Sequence, residues 1–263
     1  MDYLVQAIKL VVAIGFVLVL SIIAERVGPK WAGVISGFPT GTSITLFFFG
    51  YEQGADFASR SAVFNMVGLV AFQLFMFFYY VVSDNLKKRV ILISSIIAFA
   101  GYFSLLLILH SIALPMFMAA LLPVASLPFC IFLFRKIREV KVSSITLGPR
   151  VLLLRAFIAG AIITAITMAA YVIGPSWAGL LSAFPTTVFP LILILHLTYG
   201  KGPVHVVLKN VPPGLVSVVL FSVTVFFTYP KVGIWWGTLL AFGAAAAYMV
   251  GLLIVKRILG RKE

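Results

Sequence analysis

Residues 28–40 read GPKWAGVISGFPT, and residues 174–186 read GPSWAGLLSAFPT. At an offset of 146 (174 − 28), nine of these thirteen positions carry the same residue. Gly28, Pro29, Trp31, Ala32, Gly33, Ser36, Phe38, Pro39 and Thr40 return as Gly174, Pro175, Trp177, Ala178, Gly179, Ser182, Phe184, Pro185 and Thr186. Agreement this dense marks an internal duplication, which restricts the chain to folds that can be built twice from one unit.

Composition identifies the solvent around that doubled unit. The 263 residues are 62% hydrophobic and 10% charged, where soluble domains carry about 25% charge. So little charge cannot cover a surface facing water, and the sequence predicts a polytopic membrane protein. A net charge of +13 would suit nucleic acid, but the Lys and Arg residues sit in short loops between apolar runs. That placement fits one face of a bilayer and argues against a nucleic-acid partner. Cys130 is the single cysteine, so neither an intrachain disulfide nor a Cys-based metal site is expected. The opening MDYLVQAIK has no basic n-region, and the first apolar run is expected to be retained.

A helix needs about 20 apolar residues to cross the hydrocarbon core. On that measure the chain has nine spans: 3–24, 31–50, 61–82, 90–109, 113–134, 151–173, 177–199, 206–228 and 232–255. The runs are continuously apolar, without the alternation of a membrane barrel. The expected fold is therefore an all-α polytopic membrane protein. Only the stretch from Arg135 to Pro149 is long and polar enough to be a linker. Repeat 1 then covers 1–111 (spans 1–4), a connector span and linker cover 112–146, and repeat 2 covers 147–263 (spans 6–9).

Alternating sides through nine spans places seventeen of the 20 Lys and Arg residues on one face. Lys9, Arg60 and Lys231 alone fall on the other. Basic loops stay in the cytoplasm, so the N-terminus is expected outside and the C-terminus inside a cell membrane, inner or plasma. Four spans return the chain to its starting side and the fifth carries it across. Repeat 2 therefore starts from the opposite face, and the halves are expected to have inverted topology about an axis in the membrane plane, as in many secondary transporters. Span 5 holds Pro115, Pro123 and Pro128 and is expected to bend.

Pro39 and Pro185 fall mid-span in spans 2 and 7. Proline removes a backbone donor, clashes with the carbonyl one turn back and biases the preceding residue away from helix. Small hydroxyl residues flank both: Ser36, Thr40, Thr42 and Ser43 in the first copy, Ser182, Thr186 and Thr187 in the second. Such groups can re-satisfy backbone atoms freed at a break. Two half-helices would then point their N-termini at the bilayer centre, where amide groups and the helix dipole favour an anion. The plainer alternative is a proline that only kinks a helix. Gly41 and Ser43 of the first copy become Thr187 and Phe189 in the second, so the breaks are not chemically equal.

Lys9 and Arg155 also stand 146 apart, inside spans 1 and 6. They either snorkel to the nearer interface or line the two approaches to a central anion site. Asn65 and Asn210 correspond once one residue is dropped, and either orient substrate or tie helices together. Gln73, His110, His196 and His205 have no repeat partner of like type. Glu25, Glu52, Asp56, Asp84 and Glu139 all fall at span ends or in loops, which disfavours coupling through an intramembrane carboxylate. No phosphate-binding loop, HExxH motif or carboxylate pair is present, so neither enzyme activity nor a cofactor is expected.

The segment YVIGPSWAGLLSAFPTTVFPLILILHLTYGKG resembles the core of the small GlpM-like bacterial membrane proteins, which carry an AGL-x-x-x-FPT-type motif after their first span. The resemblance covers 28–50 and 174–200. It implies a fused tandem of four-span units that would pair antiparallel, and it carries over no activity. The leading expectation is an alternating-access transporter for a small organic, anionic solute bound at the breaks. A lipid or polyprenyl-phosphate translocase is the second, and a non-transporting scaffold subunit the third. Partners are the bilayer and the solute or lipid itself, with room left for a homodimer.

Overall fold

The computed structural model describes residues 3–86, 89–112, 114–137 and 148–259. Much of the linker, with Arg138, Glu139 and Lys141, lies outside the described residues. So do Lys87, Lys88, Arg261 and Lys262, and the side chains of Glu25, Arg26, Lys256 and Arg257. Among the described residues the fold is all helix: α1 (Tyr3–Ser36), α2 (Thr40–Gln53), α3 (Ala55–Asn85), α4 (Val90–His110), α5 (Met116–Phe134), α6 (Pro149–Ser182), α7 (Val188–Tyr199), α8 (Lys201–Asn210) and α9 (Pro212–Leu259). Six stretches among the described residues are long and apolar enough to cross a membrane, and the chain is a multi-pass membrane protein.

These helices do not map one to one onto nine spans. Two of the expected spans are cut in the middle, at residues 37–39 and 183–187. The first half of each continues from the helix before it, so α1 and α6 are each 34 residues long. Gly174 (φ 74°, ψ 174°) kinks α6 where spans 6 and 7 were expected to separate, and Gly233 (φ 78°, ψ 171°) does the same in α9. Span 8 is also divided, between α8 and α9. Pro212 and Pro213 explain this, because neither has an N–H to continue the α8 ladder. Their counterparts in α3 are Met66 and Val67, and α3 runs unbroken for 31 residues.

The two halves exchange contacts. A methyl on Gly33 would press on Val207 and Asn210, and one on Gly179 would press on Ser61 and Phe64. All three residues of the second set and the first are 146 apart. One turn on, Gly37 meets Gly214 while Ala183 meets Gly68, again at that offset. An exchange of this form, i with j and j with i, is what a twofold relation between equal units produces. Small residues at the crossings let backbones touch where water supplies no driving force for helix association. In the same frame α1 and α6 run antiparallel: Val17 packs with Ala156 and Ala159, Ala13 with Ile163, and Lys9 with Thr167.

The exchange runs at 146 without a gap through Gly68 and Gly214. Asn210 therefore occupies the place of Phe64, and Asn65 the place of Val211. The two asparagines are not equivalent in the fold. Among the described residues α4 and α5 lie against α3 and leave most of their surface outward. Gln73 ties α5 to α3, donating to Pro123 O at 3.0 Å and accepting from Ser126 Oγ at 3.0 Å.

Candidate functional site

Both prolines make the same local structure. At the first break Thr40 N–H donates to Phe38 O at 2.7 Å, closing a three-residue turn on Pro39, whose φ of −71° and ψ of 47° approach an inverse γ-turn. Ser43 N–H then donates to Pro39 O at 2.8 Å and starts α2. At the second break Thr186 N–H donates to Phe184 O at 2.6 Å, and Phe189 N–H to Pro185 O at 2.8 Å. Neither α2 nor α7 has a side-chain cap, so no hydroxyl covers their first-turn amides.

The breaks lie against each other in the bundle interior. Thr42 Oγ1 donates to Ser182 O and Thr187 Oγ1 to Ser36 O, each at 3.3 Å. A methyl on Gly41 would overlap Thr186 Oγ1, so the smallest residue of the first motif admits the second copy's hydroxyl. Between them is a cavity of about 30 Å³, lined by Ser36, Thr40, Thr42, Pro185, Thr186 and Thr187 together with Leu69, Phe72, Leu215 and Val218. A water needs roughly 10–15 Å³ measured this way. The space therefore suits one or two waters, and an organic solute requires the breaks to part.

The remaining candidates divide into those that reach the breaks and those that do not. Pro39 and Ser43 are buried beside the cavity, with Ser43 Oγ turned back to Thr40 O at 3.0 Å. Asn65, wholly buried, donates through Nδ2 to Ser182 Oγ at 2.7 Å and Thr42 Oγ1 at 3.3 Å, and accepts from Ser222 Oγ at 2.9 Å. It joins the two motifs to α9. Arg155, 3% exposed, donates from Nη2 to Thr187 O at 3.3 Å. Asn210 instead donates to Val206 O on its own helix at 2.9 Å.

Lys9 is also away from the breaks, donating to Glu52 Oε2 at 2.6 Å and to Thr167 Oγ1 at 3.2 Å. Its ammonium group is buried on these partners, with Glu52 partly exposed at the end of α2. The repeat counterpart of Glu52 is Thr198, so the carboxylate that meets Lys9 has no equivalent in the second half. Ser217, which donates to Gly37 O at 3.3 Å, Ser222 and Thr167 were not legible as site residues. Their counterparts Ala71, Met76 and Ser21 give at most one like residue, so the repeat does not single them out. The histidines bond neighbouring helices: His196 with Tyr79, His205 with Ser83 and His110 with Ser176. Among the described residues no group of His, Cys, Asp or Glu could hold a metal ion.

No protein-family model, curated protein or solved structure matches this chain.

Proposed function

We propose that the chain is a secondary transporter of the cell membrane, working by alternating access on a small organic solute that carries an anionic group. The observation behind this reading is the pair of breaks: two interruptions with one hydrogen-bond pattern, touching each other in the bundle interior. Irregular backbone at membrane depth is tolerated only inside protein or along a cavity. Crossed broken helices from two repeats are where many carriers hold substrate.

The helices beginning at Thr40 and Val188 start at the cavity, which favours negative charge there. Arg155 beside Thr187 O adds positive charge at the same place. Exchanged contacts and the antiparallel course of α1 and α6 support an inverted repeat, and the uneven Lys and Arg distribution supports an N-terminus outside. The motif resemblance supports descent from fused GlpM-like units and leaves the solute open. With a cavity of about 30 Å³, the cycle must separate the breaks, sliding them along the glycine contacts.

A second reading, translocation of a lipid-like substrate, draws on a 450 Å³ apolar pocket between α1, α2 and α9. That pocket shares no lining residue with the central cavity, which favours the solute reading. The test is a thermal-shift screen of purified protein against small organic anions, followed by uptake of any stabilising compound into proteoliposomes, since a ligand stabilises the state it binds. Stabilisation and uptake that both fail in a Thr186→Val variant are expected. Binding without uptake in either direction would remove the transport reading.

A further inference from the structure

A second polar cluster stands at the end of the bundle where α2 turns into α3. Lys9 is 0% exposed and its partner Glu52 is 19% exposed, at 2.6 Å. Gln6 is one helical turn from Lys9 on the same face of α1, Gln53 follows Glu52, and Thr164 is one turn from Thr167 on α6. Nε2 and Oε1 of Gln6, Nε2 of Gln53 and Oγ1 of Thr164 are buried with no hydrogen-bond partner among the described residues. Buried polar atoms in native proteins are satisfied by something. Each of these side chains stands one residue or one helical turn along its helix from a member of the Lys9–Glu52–Thr167 cluster.

Beside this cluster is the 450 Å³ pocket, walled by Ile8, Val12, Phe47, Phe48, Tyr51 and Trp235. Phe48 belongs to both, because Lys9 Nζ lies over its ring, 5.4 Å from the centroid. Phe48 meets Phe47 at 84° and Tyr51 at 83°, and Trp235 meets Phe47 at 69°. Phe47 and Tyr51 stack at 14°, so the four aromatic walls include both steep and parallel pairs, and aromatic walls of this kind attract methylated ammonium groups by their π-faces.

Charge decides what can enter. A lone anion drawn to Lys9 would leave Glu52 unpaired, and a lone cation drawn to Glu52 would leave Lys9 unpaired inside the bundle, and each of those outcomes is strongly disfavoured. A molecule carrying both charges can insert between the two side chains and leave neither alone. Selection against single charges is thus built into the pair.

We infer that the Lys9–Glu52 pair and the aromatic pocket together form a binding site for a zwitterion with a methylated ammonium group, its anion on Lys9 and its ammonium between Glu52 and the rings. The inference goes beyond the proposed function, because this pocket shares no lining residue with the central cavity; on the topology proposed above the site is the first one met from outside. The same chemistry is offered by a free betaine and by a phosphocholine lipid headgroup.

Thermal unfolding of the purified full chain in phosphatidylglycerol nanodiscs tests this with glycine betaine and its two halves, acetate and tetramethylammonium. Glycine betaine is expected to raise the melting temperature by more than the halves do together. Trp235→Ala, an exposed wall residue, should diminish the betaine shift while sparing any acetate shift. Glu52→Gln should reverse the order, with acetate ahead, because Lys9 is then unpaired. The double variant Lys9→Gln with Glu52→Gln leaves no single buried charge and should lose the betaine shift without a folding defect.

Repeating the measurement in phosphatidylcholine nanodiscs separates the two sources. A betaine shift that persists assigns the site to a free solute, and one abolished by the lipid assigns it to the headgroup. A betaine shift no larger than that of its halves, or one indifferent to Trp235→Ala and Glu52→Gln, overturns the inference. Binding by these criteria without uptake into proteoliposomes would keep the site and refute the transport reading alone.

Discussion

Gly37 and Gly214 meet backbone to backbone. A methyl on Gly37 would stand 2.7 Å from Gly214 Cα, and one on Gly214 would stand 2.8 Å from Gly37 Cα. The equivalent contact in the other half joins Ala183 and Gly68, where a methyl on Gly68 would lie 2.9 Å from Ala183 Cβ. One crossing is thus made twice, beside each break. Gly214→Ala must push backbone against backbone, and overpacking of this kind costs about 1–3 kcal/mol. The melting temperature in detergent should fall, while Gly243→Ala, whose methyl would meet nothing within 4 Å, should leave it unchanged. Equal behaviour of the two variants would show that the crossing yields freely.

Pro39→Ala and Pro185→Ala each restore a donor and remove the fixed φ that holds the three-residue turn, inviting a continuous helix through the break. Proteoliposome uptake of any identified solute should drop further than the amount of folded protein recovered. Parallel loss of uptake and of folded protein would mean that the prolines serve folding.

Asn65 and Asn210 should behave differently despite their like positions in sequence. Asn65→Ala strips partners from Thr42, Ser182 and Ser222 across three helices, and an unsatisfied buried polar group costs about 1–3 kcal/mol. Asn210→Ala loses one bond within its own helix and should cost about 1 kcal/mol or less. Denaturation midpoints measured side by side check the order, and a larger loss for Asn210 would contradict the hub at Asn65.

Lys9 and Arg155, though related by the repeat, should also part. Arg155→Ala removes the cation at the break and should weaken stabilisation by organic anions at the central site. Lys9→Ala leaves Glu52 alone, destabilising the fold by up to about 3 kcal/mol, and Lys9→Ala with Glu52→Ala should recover much of that loss. Unchanged anion affinity in Arg155→Ala would leave that residue a structural tie only.

Topology can be read by thiol labelling in a Cys130→Ala background. Asp56→Cys and Lys201→Cys both fall at exposed positions. A membrane-impermeant maleimide should reach the first from outside in intact cells and the second only after permeabilisation. The opposite pattern would reverse the orientation read from the Lys and Arg distribution.

The sequence alone determined the membrane environment, the all-helical class, the doubling and the two breaks. Each of those follows from local chemistry: apolar runs too long and too poor in charge for water, and a proline that cannot continue a helix wherever it sits. It also set Ser36 and Thr40 beside Ser182 and Thr186, because the repeat writes these two pairs in register, with Thr42 and Thr187 flanking them. Only the tertiary structure decided which residues meet across the two halves. Glu52 looked like a loop residue until α1 and α2 brought Lys9 to it, and Asn210 looked like Asn65's twin until the gapless exchange at Gly68 and Gly214 set it opposite Phe64. The hydrogen bonds that Ser217 and Ser222 donate, and the one that Thr167 accepts from Lys9, exist because helices far apart in the chain cross, and no local pattern encodes a crossing.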